Sequence, residues 1–116
     1  MSDKAEKQIW KVRTVKNYPD AHNHLMIGKV IEINKIYLRL ECKTYHFRKN
    51  INSLKDIKTG PCEYRILPWS RIELINELSD NFDYKDAKLT ITNDLTVTID
   101  DGKNSCIIAS TYDNNY

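Results

Sequence analysis

The sequence predicts a mostly-β protein whose 116 residues form a single domain. Apolar and polar residues alternate with period two through much of the chain, which is typical of half-buried strands. Turn residues separate the alternating stretches, and an Asp-Gly pair near the C-terminus is a strong hairpin indicator. With 41% hydrophobic residues, 29% charged residues and only three Gly and three Pro, the composition is that of a globular chain.

The first three strands are predicted in the N-terminal half. Residues 8–15 alternate and form the first strand. After a polar loop around Pro19, residues 25–33 are apolar and β-branched, and Gly28 inside them predicts a bulge or a sharp bend. Residues 36–48 alternate over the longest stretch, and a strand of that length must bend or twist strongly within a small domain. The second and third strands are predicted to form a hairpin.

The C-terminal third predicts a three-stranded meander over residues 88–109, with one of its turns at Asp101-Gly102. After the hairpin, a polar connection over residues 49–61 leads to another strand, CEYRIL. This strand places three residues on one side: Cys62, Tyr64 and Ile66. The terminal residues 1–7 and 111–116 are predicted to be frayed.

Residues 67–78, LPWSRIELINEL, fit two structures. Ser70 and Glu73 form a capping box, which predicts a short helix near residues 71–80. Four apolar residues recur at helical spacing: Ile72, Ile75, Leu78 and Phe82. The alternative is a tight turn that feeds a strand, and the β character of the surrounding sequence favours it.

The segment from residue 25 to residue 75 resembles the two-part motif of the Sm-like (LSm) small β-barrel proteins. In that family an apolar-x-Gly-x-apolar strand opens the first part, and a strand, a short turn and a final strand make the second. The matching residues are Gly28, Val30 and Ile33 in the first part and Ile66, Leu67, Ile72 and Ile75 in the second. The resemblance implies a small, strongly bent barrel and a ring-like assembly through barrel edges.

The chain departs from this family at its RNA-binding positions. Asn34 stands where the family has an Asp, and no Asn follows at the expected place. Pro68-Trp69 replaces the family's Arg-Gly pair. The resemblance therefore does not imply the family's uridine pocket, and fold analogy alone does not supply a function.

Charge is unevenly distributed along the chain. Residues 1–60 carry a net charge of +7 and residues 61–116 a net charge of −5. This asymmetry indicates either a basic patch for an anionic partner or two complementary surfaces that neutralise each other.

The cysteines and the hydropathy pattern predict a cytoplasmic protein. Cys42, Cys62 and Cys106 are odd in number and widely spaced, which argues for reduced thiols and against a disulfide framework. No apolar run approaches the ~20 residues of a membrane span. The start, MSDKAEKQIWKV, lacks the apolar core of a secretory signal, so neither export nor a membrane partner is expected.

One face of the long third strand mixes aromatic and basic side chains. Bases stack on aromatic rings while cations contact phosphates, so this face is a candidate site for single-stranded nucleic acid. The candidate residues are Tyr37, Arg39, Lys43, Tyr45, Phe47, Arg48 and Lys49. The alternative is that the aromatic side chains pack under another strand or a partner subunit.

Metal binding and catalysis have little support in the sequence. His22 and His24 supply two imidazoles where a metal needs three or four ligands, so no metal and no other cofactor is predicted. Cys42 and His46 share a strand face but lie too far apart to form a nucleophile–base pair. No nucleotide-binding or hydrolase motif is present, and no catalytic residue is assigned.

The function predicted from the sequence is that of a non-catalytic interaction module that forms a homo-oligomer through exposed strand edges. Trp69, Tyr37 and Phe47 are the candidate interface residues. A single-stranded nucleic-acid-binding protein and a small enzyme of unknown reaction are the alternatives. The sequence identifies no protein partner.

Overall fold

A computed structural model describes residues 7–16, 22–48, 51–93 and 96–110. This part of the chain is mostly β-strand, arranged in two antiparallel sheets with two short 3₁₀ turns, Leu54–Asp56 and Trp69–Arg71. The strands are β1 (Ile9–Thr14), β2 (Asn23–Ile33), β3 (Tyr37–Phe47), β4 (Lys58–Thr59), β5 (Glu63–Pro68), β6 (Ile72–Leu78), β7 (Lys88–Ile91), β8 (Thr96–Asp100) and β9 (Ser105–Ser110). Neither 3₁₀ turn in the described part is long or apolar enough to cross a membrane. The predictions for Pro19, Lys49 and the ends 1–6 and 111–116 lie outside the described residues, as do positions 94 and 95 of the predicted meander.

The first sheet is built on the predicted β2–β3 hairpin. β1 pairs with the outer side of β2, and β6 pairs with β1. On the other side, β3 pairs with β5 along Tyr37–Cys42 and with β4 at Tyr45 and His46. The strand order is therefore β4 and β5 on one edge, then β3, β2, β1 and β6.

The second sheet is the predicted three-stranded meander, in the order β7-β8-β9. Gly102 forms the β8–β9 turn with φ of 95°, a conformation that glycine adopts at little cost. The side chains of Asp100 and Asp101 accept hydrogen bonds from backbone N–H groups of this turn.

The helix predicted near residues 71–80 is wrong, because Ile72–Leu78 is strand β6. The register against β1 shifts between Arg13 and Thr14, which pair with Leu74 and Ile72 and leave Glu73 as an extra residue. This bulge places Ile72 and Ile75 on the same sheet face despite their helical spacing. The backbone hydrogen bonds between β6 and β1 outweigh the local preference for a helix that begins at Ser70. Around Ser70 the chain forms only the 3₁₀ turn Trp69–Arg71.

Two clusters of buried side chains occupy the two faces of the first sheet. The inner cluster consists of Trp10, Val12, Met26, Val30, Leu38, Leu40, Cys42 and Leu67. The intersheet cluster joins the opposite face to the second sheet and to the connecting segments. It consists of Ile9, Leu25, Ile27, Tyr45, Phe47, Ile51, Ile57, Phe82, Tyr84, Ala87, Val97, Ile99, Cys106, Ile108 and Ala109. Strands β1 to β3 are therefore covered on both faces over part of their length.

The structure has no bulge at Gly28, so that part of the prediction is wrong. Gly28 lies in regular register between Trp10 of β1 and Cys42 of β3, whereas the register shift in β2 falls between Val30 and Glu32. Gly28 has a different role. A Cβ atom there would lie 2.0 Å from the Glu41 carbonyl oxygen and 2.5 Å from the Cys42 Cα. Only glycine allows β2 and β3 to approach this closely.

Candidate functional site

The structure divides the predicted aromatic–basic face of β3. Tyr45 and Phe47 are only 2% and 1% exposed, because the second sheet and its connections cover this half of the strand. Neither ring is available to stack on a base, and Phe47 cannot serve as an interface residue. This corrects the assignment of both residues to a ligand-facing surface, and it agrees with the packing alternative.

Tyr37 and Arg39, on the other half of this face, are held by contacts within the chain. The Tyr37 hydroxyl donates a hydrogen bond to Glu32 Oε1 (3.2 Å). The Arg39 guanidinium lies 5.2 Å from the centre of the Tyr64 ring, within cation–π range. Lys43 is half-buried and Arg48 is exposed beyond the end of the strand. These residues form a shorter and less aromatic surface than the sequence predicts.

Trp69, a second predicted interface residue, lies in the turn between β5 and β6. Its indole N–H donates a hydrogen bond to the Asn34 carbonyl oxygen (2.7 Å), and its ring packs against the inner cluster. The ring is half-buried. Trp69 therefore fastens the β2–β3 turn to the β5–β6 turn.

The exposed apolar side chains of the first sheet lie instead on its two edge strands. On β5, Tyr64 and Ile66 are each 58% exposed, while Leu67 points into the inner cluster. On β6, Leu74 is 42% exposed. Among the described residues, β5 is hydrogen-bonded only to β3, and β6 only to β1. Each edge therefore presents backbone groups together with an apolar side chain.

The sequence missed the orientation of β5. Alternation places Cys62, Tyr64 and Ile66 on one side of this strand but does not say which side is buried, and the structure leaves Tyr64 and Ile66 exposed. The neighbouring Leu67 is buried because β5 pairs with β3 in a register that sets Leu67 opposite Leu38. No local sequence pattern identifies that register.

A contact between β3 and the β6–β7 connection lies at Glu41. The Tyr84 hydroxyl donates a hydrogen bond to Glu41 Oε1 (2.5 Å), and Lys85 Nζ lies 3.4 Å from the same oxygen. The Tyr84 hydrogen bond is the main cause that lowers the pKa of Glu41, while burial raises the pKa of Tyr84. Because 43 residues separate Glu41 from Tyr84, this pair has no local sequence signal.

His24 and His46 face each other across the β2–β3 ladder. Their rings are stacked with centroids 3.9 Å apart. Burial, followed by the charges of His46 and Arg65, lowers the pKa of His24 to about 4. The pKa of His46 is also lowered, mainly by burial. His24 Nε2 is buried with no hydrogen-bond partner among the described residues, so charging this ring is unfavourable.

We expect the stacked pair to make the protein less stable in acid. The folded-state pKa of His24 lies below its unfolded value, so the unfolded chain binds more protons between pH 6.5 and pH 4. Stability from this group is therefore complete above pH 6.5 and lost as the pH falls towards 4. Because the ring is only half-buried, solvent screens part of the effect, and we expect a loss of about 1–2 kcal/mol.

Urea unfolding of the wild type and of His24→Gln at pH 7.5, 6.0 and 4.5 measures this loss. The carboxylates titrate in both proteins, so the difference between the two pH dependences isolates the imidazole. A His24→Gln protein that loses as much stability as the wild type between pH 7.5 and pH 4.5 would contradict the expectation.

The described residues contain no group of three or more His, Cys, Asp or Glu side chains placed to hold a metal ion. His22 does not join the stacked pair, since its Nε2 accepts a hydrogen bond from Arg48 Nε (2.9 Å). Cys42, Cys62 and Cys106 are free thiols. Burial raises the pKa of Cys42 to about 12, so this thiol stays protonated and is a poor nucleophile at neutral pH.

Comparisons with protein-family models, with curated proteins and with solved structures returned no match. The function is therefore inferred from the surface of the molecule, in which two edge strands with exposed apolar side chains are the most prominent feature.

Proposed function

We propose that the chain is an Sm-like, strongly bent barrel with an added meander, and that it works as an interaction module that self-associates through the edges of β5 and β6. The observation that carries the proposal is the pair of different, exposed edges on one sheet. The function is non-catalytic in this proposal.

Strand connectivity supports the bent barrel. A flat sheet would separate β5 from β6 by four strand spacings, about 19 Å. The chain from Pro68 to Ile72 spans at most about 14 Å when fully extended, and the 3₁₀ turn between them shortens it further. The first sheet must therefore curl until its two edge strands approach each other at this end. A strand, a short turn and a final strand is also the order of the second part of the Sm-like motif.

Edge chemistry supports self-association. An exposed edge strand is a template for pairing with another chain unless charge, proline or a covering element blocks it. The β5 edge has Pro61 and Pro68 at its ends, but residues 63–67 between them have no proline, and the two charged side chains of this stretch, Glu63 and Arg65, pair with each other (3.2 Å). Tyr64 and Ile66 add apolar area to this stretch. Since β5 and β6 are different surfaces, pairing β5 of one copy with β6 of the next is head-to-tail, and such contacts form a ring when the rotation between copies closes and a filament when it does not.

We expect Ile66→Lys to reduce self-association by tenfold or more, because a charge would replace an apolar side chain at the centre of the β5 edge. The fold should tolerate this change, since Ile66 is already 58% exposed. Native mass spectrometry and light scattering after size exclusion would measure the subunit number over a protein concentration series.

Ile107→Lys is the matched control, because Ile107 is 45% exposed on β9, an edge of the second sheet. We expect Ile107→Lys to leave the subunit number unchanged. A wild-type protein that is monomeric at all concentrations would refute self-association. Dissociation by Ile107→Lys and not by Ile66→Lys would move the interface to the meander.

A further inference from the structure

A second surface lies at the end of β3 away from the β5 ladder. A cavity of about 240 Å³ opens there between the start of β2, the end of β3 and the connection that follows. Six side chains line it: His22, His46, Arg48, Lys55, Asp56 and Lys58. Five of these six carry a positive charge or an imidazole. The basic N-terminal half of the sequence thus concentrates part of its charge in one cavity.

The single carboxylate of this cavity is already engaged. Asp56 Oδ2 accepts hydrogen bonds from the backbone N–H groups of Asn52 (2.7 Å) and Ser53 (3.1 Å). Among the described residues, neither Lys55 nor Lys58 has a carboxylate within ion-pair distance. Asp56 caps a turn, while the two ammonium groups of Lys55 and Lys58 have no carboxylate partner among the described residues, so the cavity retains a positive field.

The two imidazoles, His22 and His46, lie next to the cationic groups of the cavity. His22 accepts a hydrogen bond from Arg48 Nε, which fixes the orientation of the guanidinium plane. Burial first, and then the neighbouring groups of His22, Arg65 and Lys58, lower the pKa of His46. The positive charges of Arg65 and Lys58 near His46 add to the field of the cavity, which attracts an anion.

We propose that this cavity binds the phosphate group of a small ligand. A guanidinium and two ammonium groups from two chain segments suit a compact, doubly charged oxyanion with several acceptor oxygens. The volume holds a phosphate with a short organic substituent and is smaller than the ~300–1,000 Å³ of ordinary drug-sized sites. Inorganic phosphate, a nucleoside monophosphate and a nucleic-acid backbone all offer this chemistry, and the size of the cavity favours a small ligand.

Titration of the wild-type protein tests the proposal at pH 7.5 and constant ionic strength. Inorganic phosphate, a nucleoside 5′-monophosphate and a single-stranded oligonucleotide are added in separate series, with chloride as the reference salt. Calorimetry gives the affinity, and NMR follows the ring signals of His46 and the backbone amides of Lys55 and Lys58. We expect saturable binding of inorganic phosphate or the monophosphate, with signal changes confined to the cavity.

Lys55→Gln and Lys58→Gln each replace an exposed ammonium group with a neutral polar amide. Each should weaken phosphate binding by about tenfold, the effect of losing one charge-assisted hydrogen bond. Lys103→Gln, an exposed lysine in the β8–β9 turn, is the control and should leave the affinity unchanged.

Three results would overturn the proposal. The first is the absence of saturable binding by either small phosphate. The second is equal weakening by Lys103→Gln and Lys58→Gln, which would indicate a diffuse charge effect. The third is binding of the oligonucleotide alone with signal changes along Tyr37 and Arg39, which would return the basic face of β3 to the centre of the function.

Discussion

Replacing Gly28 with alanine is expected to lower the free energy of unfolding by about 3–5 kcal/mol. The added Cβ would meet the Glu41 carbonyl oxygen and the Cys42 Cα, both of which belong to the backbone of the neighbouring strand. Such atoms cannot rotate away, so β2 and β3 would have to separate. The loss is a large part of the ~5–15 kcal/mol that stabilises a domain of ordinary size.

Urea unfolding at 25 °C, followed by circular dichroism, measures this effect. Gly102→Ala is the matched control, since a Cβ at Gly102 meets no atom within 4 Å and the cost comes only from its φ of 95°. We expect about 1 kcal/mol for Gly102→Ala. Similar losses for the two variants would show that the close approach of β2 and β3 at Gly28 is not as described.

Phe47→Ala is expected to cost about 3–5 kcal/mol, because it empties the space of a fully buried aromatic ring in the intersheet cluster. Tyr37→Ala, on the same face of β3, should cost about 1 kcal/mol, since Tyr37 is half-exposed and loses chiefly its hydrogen bond to Glu32. The difference between the two losses in the free energy of unfolding distinguishes a ring buried in the core from a ring that faces outwards.

The same unfolding experiment compares both variants with the wild type. If Phe47 faced a ligand rather than the core, its truncation would cost no more than that of Tyr37. A small loss for Phe47→Ala would therefore contradict the placement of the second sheet over this half of β3.

The His22-Asn23-His24 sequence shows that closeness along the chain did not predict which side chains meet at a candidate site. The sequence marked its two imidazoles as a pair, yet only His24 joins a histidine contact, with His46 from the partner strand. His22 instead lines the basic cavity with Arg48. Lys55 and Lys58 reach that cavity from a connection in which the sequence predicted only polar character. Their convergence depends on how the connection folds back against β3.

The sequence by itself determined the strands of the hairpin and of the meander, because period-two alternation and turn residues act over a few positions. Tertiary structure decided the rest. Ile72–Leu78 forms a strand because it pairs with the edge of β1. The bulge at Glu73 lets Ile72 and Ile75, which are three residues apart, lie on the same face of the sheet. Tyr45 and Phe47 became core because residues some fifty positions later cover them. Hydrogen-bond ladders and apolar burial between distant segments outweigh local preference, and a single sequence does not encode them as a pattern.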